Sequence, residues 1–233
     1  MRNIKAIFKK QLLSFFKNPG MMGAPAFFLA IPFLILLLMS GADTDRNLIV
    51  SQFVVMFIGI SMIGTASGFI AEDRLTMNLR FMGMAGVKPY QYLIGTCSAL
   101  LIISCIVLVL FGLMYQFTGG AMVNFLAISI LGAATSMIFG ITLSLSKFNS
   151  FTMPISLLLG VGPIFAEANE VLSTIYHFIY TMQLTNVLRE GDMTADLTEN
   201  LQIILLNMAV LLVLFIITNA RYGLDGEKLG KKL

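Results

Sequence analysis

Residues 91–115 read QYLIGTCSALLIISCIVLVLFGLMY and contain no Asp, Glu, Lys or Arg. A helix needs about 20 mainly apolar residues to cross the hydrocarbon core of a bilayer, whereas a helix at a protein surface in water would show a polar face. The stretch therefore predicts a transmembrane helix. Working outward, the same criterion marks spans near 22–40, 48–70, 122–144, 151–168 and 200–220. Charged and turn-forming residues separate them: GADTDRN after the first, AEDR after the second, QFTGG after the third and SLSKFNS after the fourth. Of the 233 residues 58% are hydrophobic and only 12% charged, with a mean hydropathy of +0.89; a soluble domain carries roughly 25% charged residues. The expected fold is an all-α integral membrane protein, a single transmembrane domain over residues 1–233 with six transmembrane helices.

Basic residues set the orientation, because lysine and arginine are retained on the cytoplasmic side. With the N-terminus inside, the inner segments hold Arg2, Lys5, Lys9, Lys10, Lys17, Arg74, Arg80, Lys88, Lys147, Arg221, Lys228, Lys231 and Lys232, leaving outside only Arg46 and Arg189 of the 15. The outer segments hold Asp43, Asp45, Glu167, Glu170, Glu190, Asp192, Asp196 and Glu199, most of the 12 acidic residues. Both termini are expected in the cytoplasm, and an odd number of spans would spoil this segregation. The start does not read as a cleaved signal peptide, since a basic amphipathic stretch and a full-length apolar span stand in place of a short apolar region and a cleavage site.

Three segments lie between or before the spans. In NIKAIFKKQLLSFFKNPG, within residues 1–20, Ile4, Ile7, Phe8, Leu12 and Phe15 share one helical face, and Lys5, Lys9, Lys10 and Lys17 the other. This predicts an amphipathic helix lying in the cytoplasmic interface until Asn18-Pro19-Gly20 turns the chain into the first span. Residues 71–95, AEDRLTMNLRFMGMAGVKPYQYLIG, predict a charged turn, a short apolar helix and a Gly-Val-Lys-Pro break, a compact cytoplasmic knob over 71–90. Residues 169–199 contain VLSTIYHFIYTMQLTNVL, apolar enough for a seventh span. A seventh span would place the basic C-terminus outside, so an outer or re-entrant helix pair is expected instead.

Catalytic and cofactor signatures were sought and not found. The single histidine, His177, stands among Tyr176, Phe178 and Tyr180. Gly64-Thr65-Ala66-Ser67-Gly68 has Thr65 where an intramembrane serine protease GxSG would have its first glycine, and reads as a small-residue packing stripe. Gly226–Lys232, GEKLGKK, falls one residue short of a phosphate loop and ends in lysine where the magnesium-binding hydroxyl should be. Cys97 and Cys105 sit in one apolar span, which argues against a disulfide or zinc framework. No basic–aromatic run points to nucleic acid, and no span centre carries the ionisable residue of an ion-coupled carrier. The softer polar groups in the spans, Ser51, Gln52, Ser61, Thr65, Ser67, Asn124, Gln202 and Asn207, suit either helix packing or the lining of a path for an amphipathic substrate.

Taken together, the basic helix leading through Asn-Pro-Gly into the first span, the six spans, the charged knob between spans two and three and the outer helical segment resemble the permease subunits of ABC-2 type transporters. AEDRLTMNLRFMGMAGVKPYQYLIG is the closest local match, although Leu75-Thr76-Met77 replaces the usual Gly-Thr-Leu step and the outer segment lacks a separating proline. The resemblance implies a half-transporter in a bacterial plasma membrane, not an enzyme by itself and holding no cofactor. It implies cytosolic ABC ATPase subunits that bind ATP and Mg, a second permease as homo- or heterodimer, and contact with membrane lipid. On this pattern Glu72, Asp73, Arg74, Leu75, Met77, Leu79, Arg80 and Phe81, in a coupling helix from Glu72 to about Met84, would meet the ATPase. Lys5, Phe8, Lys9, Leu12 and Phe15 would carry the interfacial helix. Ser51, Gln52, Met56, Met153 and Asn207 are candidates for the path of an exported amphipathic peptide, lipid-like molecule or drug, for which methionine offers an adaptable lining. An ion-coupled carrier and a non-transporting membrane scaffold are the alternatives.

Overall fold

A computed structural model describes residues 2–38, 46–146, 149–190 and 198–222. The expected charges Asp43, Asp45, Lys147, Asp192, Asp196, Lys228, Lys231 and Lys232 lie outside the described residues. Among the described residues the chain is helical throughout, without strands, and six helical rods are long and apolar enough to cross a membrane.

Helix α1 (Arg2–Lys17) is followed by Asn18 alone and then by α2 (Pro19–Leu38). Pro19 takes the first helical position, where its missing N–H is no loss, and the Asn18 side chain accepts from the Gly20 amide at 3.0 Å. The second rod runs over Arg46–Leu75. It consists of α3 (Arg46–Met56), a π-helical turn over Phe57–Met62 and α4 (Ile63–Leu75). The rod extends past the expected end at residue 70, so Glu72, Asp73 and Arg74 form its last helical turn instead of a loop. Thr76 and Met77 separate it from α5 (Asn78–Met84), with Met77 in the left-handed region at φ 57°. The expected Glu72–Met84 helix is thus two pieces joined by a bend.

Lys88-Pro89 then starts α6 (Pro89–Tyr115) through a capping box, and α7 (Gly119–Leu145) returns. A 3-10 turn over Asn149–Phe151 leads into α8 (Thr152–Glu167). Asn169 caps α9 (Glu170–Tyr176) by accepting from the amides of Val171 and Leu172, after which α10 (Tyr180–Glu190) and α11 (Thr198–Tyr222) complete the chain. Alternation of six rods puts α1, α5 and the end of α11 at one end of the bundle.

The core lies where α4, α6, α7 and the π turn meet, and Phe57, Ile58, Ile63, Ile70, Phe111 and Phe125 are fully buried there. Small residues set the crossings, because close backbone approach is what helices gain from glycine in lipid. A Cβ on Gly59 would stand 2.7 Å from the Gly160 Cα, and one on Gly140 would stand 2.5 Å from the Ile63 carbonyl oxygen. The first contact brings α8 against the π turn, the second α7 against α4. Helix α11 packs chiefly on α7 and α10 and leaves nearly all of its apolar surface outward.

The segment after α8 folds back between the rods. The Tyr176 hydroxyl donates to the Leu158 carbonyl at 3.0 Å, and Tyr180 meets Ser136, well inside α7, at 2.7 Å. Helix α10 buries Thr181, Leu184, Thr185 and Leu188 and returns to the end where the Tyr115 hydroxyl reaches the Leu188 carbonyl. Its turn, residues 177–179, leaves carbonyls unpaired by helix. Gln183 Nε2 donates to the His177 carbonyl, and Asn207 Nδ2 to that of Phe178 at 2.9 Å. Those donors answer the need to satisfy non-helical backbone inside a bundle.

Candidate functional site

The residues of the knob divide by direction. Asp73 and Leu79 are buried, whereas Leu75 is 84% exposed, Phe81 60% and Met84 67%, and Met77 and Arg80 also face outward. Glu72 and Arg74 are half-buried. Asp73 and Leu79 therefore anchor the knob from within and do not belong to its outer surface, a correction to the expectation that they meet a partner. The reason for Asp73 is the ring of donors around it.

Four side chains converge on the Asp73 carboxylate. Lys10 from α1 forms an ion pair with Oδ1. Gln11 Nε2 donates to Oδ2 at 2.8 Å, the Tyr92 hydroxyl from α6 donates to Oδ2 at 2.9 Å, and Asn78 Nδ2 at the start of α5 donates to Oδ1 at 3.2 Å. Gln11 also reaches Thr96 Oγ1 at 3.4 Å. A buried carboxylate is tolerable only when its lone pairs are satisfied and its charge is matched, and here both conditions hold. One carboxylate thereby joins α1, the end of α4, the start of α5 and the first turns of α6. Next to it, Arg74 Nη1 donates to the Ser144 carbonyl at 2.7 Å, where the negative end of α7 favours a cation.

Helix α1 supplies two of these donors because its buried row is Ile7, Gln11 and Phe15, spaced four apart on one face. Ile4, Phe8 and Leu12 flank that row half-buried, and Lys5 and Lys9 are exposed. The row lies on α6: a Cβ on Gly95 would fall 2.8 Å from Ile7 Cγ2 and 3.1 Å from the Ile4 carbonyl oxygen, and Asn3 donates to Gln91. The apolar face expected to rest in lipid thus rests on protein, and Lys10, placed by periodicity on the solvent face, turns inward to Asp73. Gln11 was the available signal, a polar residue inside an otherwise apolar face.

The five candidate path residues do not form one site. Ser51 is buried and donates to the Leu48 carbonyl of its own helix at 2.8 Å. Gln52 and Met56 are half-buried, Met153 is exposed, and Asn207 ties down the Phe178 carbonyl. His177 is exposed with its ring edge-on to Phe178, and among the described residues no group of three His, Cys, Asp or Glu could hold a metal ion. Burial raises the Tyr180 phenol far above its usual value despite the opposing hydrogen bond from Ser136, so Tyr180 is a neutral structural hydroxyl.

No model of a known protein family matches the chain, and no curated protein matches it.

Proposed function

We propose that the chain is the membrane-spanning permease subunit of an ATP-driven ABC-2 type transporter. It lies in a bacterial plasma membrane with both termini in the cytoplasm, pairs with a second permease, and takes its energy from separate cytosolic ATPase subunits that bind ATP and Mg. Its cargo is an amphipathic peptide, lipid-like molecule or drug, moved outward. In this reading α1 is the interfacial helix, α5 the coupling helix, and α9–α10 a re-entrant pair on the outer side.

The observation that carries the proposal is the pairing of an exposed apolar ridge with a rigid polar base. Leu75, Phe81 and Met84 project beyond the apolar rods, between Arg74 and Lys88, where no acyl chain covers them. Exposed apolar surface in such a place marks a contact with another protein. Beneath it the Asp73 cluster ties the ridge to three helices. Closure of an ATPase dimer on two such ridges would move them together, and the cluster would pass that displacement to spans two and three as a rigid-body shift. ATP binding elsewhere would then bias a two-state arrangement of the rods.

The test is co-purification from the native membrane in mild detergent, with mass spectrometry and an ATPase assay, for wild type and for Leu75→Glu with Phe81→Glu. Wild type should bring down a cytosolic ATPase that the double variant loses while keeping its own melting temperature. Wild type travelling without any ATPase would give the carrier and scaffold readings precedence.

A further inference from the structure

At the bundle end opposite Asp73, an open groove of ≈ 790 Å³ runs between α2 and the last turns of α6. Along α2 it extends from Ala26 to Leu37, about 16 Å at the α-helical rise. That is close to half of a bilayer's hydrocarbon thickness of about 30 Å, the depth of a single leaflet. Ala26 and Ala30, one helical turn apart, hollow its floor, and Leu113 stands in its opposite wall. The polar residues of the lining are Arg46 and Gln116, both at helix ends where the rods reach the headgroup level. Gln116 caps α6 at φ 63°. No described carboxylate pairs with Arg46.

We infer that this groove binds one acyl chain of an anionic phospholipid from the surrounding bilayer, with the Arg46 guanidinium on the headgroup phosphate and Gln116 hydrogen-bonding beside it. The groove opens sideways between two rods that are each apolar enough to cross a membrane, so the neighbouring medium is acyl chain. The planar guanidinium matches phosphate with two parallel hydrogen bonds. A headgroup with no cation of its own leaves that pair uncompensated by a competing charge, which selects anionic over zwitterionic lipid. The small side chains of Ala26 and Ala30 leave the room that the chain fills. This site requires only that the protein spans a bilayer, so failure of the ATPase experiment leaves it standing.

Delipidated full-length protein in mild detergent, titrated with dioleoyl phosphatidylglycerol or dioleoyl phosphatidylcholine and read by native mass spectrometry, tests the site. Wild type should retain the glycerol lipid at several-fold lower concentration than the choline lipid. Arg46→Gln should bring the two to equality, and Ala30→Phe should weaken both several-fold, each at an unchanged melting temperature; Ala26→Leu replaces Ala30→Phe if the latter melts early. Retained preference in Arg46→Gln, as would follow if Asp43 or Asp45 neutralised the arginine, overturns the headgroup assignment. Undiminished binding in both filled-groove variants overturns the groove. Free oleate retained as strongly as phosphatidylglycerol would make the occupant a soluble anionic amphiphile and overturn the phospholipid.

Discussion

The Tyr92 hydroxyl donates to the Asp73 carboxylate at 2.9 Å across the bend that carries α5, so the two rods flanking the exposed ridge are pinned to each other at its base. Removing the carboxylate strands several donors at once, whereas removing one donor leaves the others. Asp73→Ala should lower stability by about 3 kcal/mol, and Tyr92→Phe by about 1.5 kcal/mol. Denaturant unfolding in mild detergent measures both, and equal effects would mean that the carboxylate is not the centre of the cluster.

Gly95 is where α1 sits down on α6. Gly95→Val would place side-chain carbons where Ile7 and the Ile4 carbonyl now stand, so α1 should lift off while the rods persist. Trypsin should then cut at Lys5 and Lys9 at least several-fold faster than in wild type. Unchanged cleavage would show that α1 tolerates the extra volume.

Gly59 and Gly23 provide a matched pair. A methyl group on Gly59 meets the Gly160 backbone, and one on Gly23 meets nothing within 4 Å. Gly59→Ala should destabilise by about 2 kcal/mol, in the range for overpacking, and Gly23→Ala should be neutral or slightly stabilising. Melting curves recorded side by side decide this.

The turn between α9 and α10 depends on side-chain donors. Asn207→Leu would leave the Phe178 carbonyl without its 2.9 Å partner, at a cost of about 1–3 kcal/mol for an unsatisfied buried group. The loss should appear as faster amide hydrogen exchange over residues 177–183 before any other part of the bundle opens. Uniform exchange across the chain would contradict a locally supported turn.

Orientation is open to direct labelling. After Cys97→Ala and Cys105→Ala, single cysteines at Lys5 and Arg189 should report opposite sides of the membrane, given the basic bias of the inner segments. An impermeant maleimide applied to intact cells should modify Arg189→Cys and spare Lys5→Cys. The reverse pattern would invert the proposed topology.

The rods were legible because a run of apolar residues such as 91–115 has no other stable environment. What sequence could not supply was the partner of a charge. Asp73 reads as the mark of a loop, and the helix continues past it to Leu75 because Lys10, Gln11 and Tyr92 arrive from distant parts of the chain. Similarly, residues 171–188 have the apolar content of a span, and Asn169-Glu170 announces a helix start. The break at 177–179 becomes affordable only through Gln183 and Asn207, and no local pattern reveals that. The outward and inward halves of the knob separate only when the bend at Met77 fixes the phase of α5.

The π-helical turn over Phe57–Met62 also makes the second rod sensitive to its own residue count. A π turn accommodates an extra residue within an otherwise α-helical course. Deleting one residue there would let the rod wind as α-helix throughout and rotate everything beyond it by about 100°. Asp73 would swing away from Lys10, Gln11 and Tyr92 and face the wrong neighbours with an unmatched charge. A single in-frame codon loss between residues 57 and 62 should therefore be felt most severely about a dozen positions downstream, at the base of the ridge, although every residue of that base would still be present.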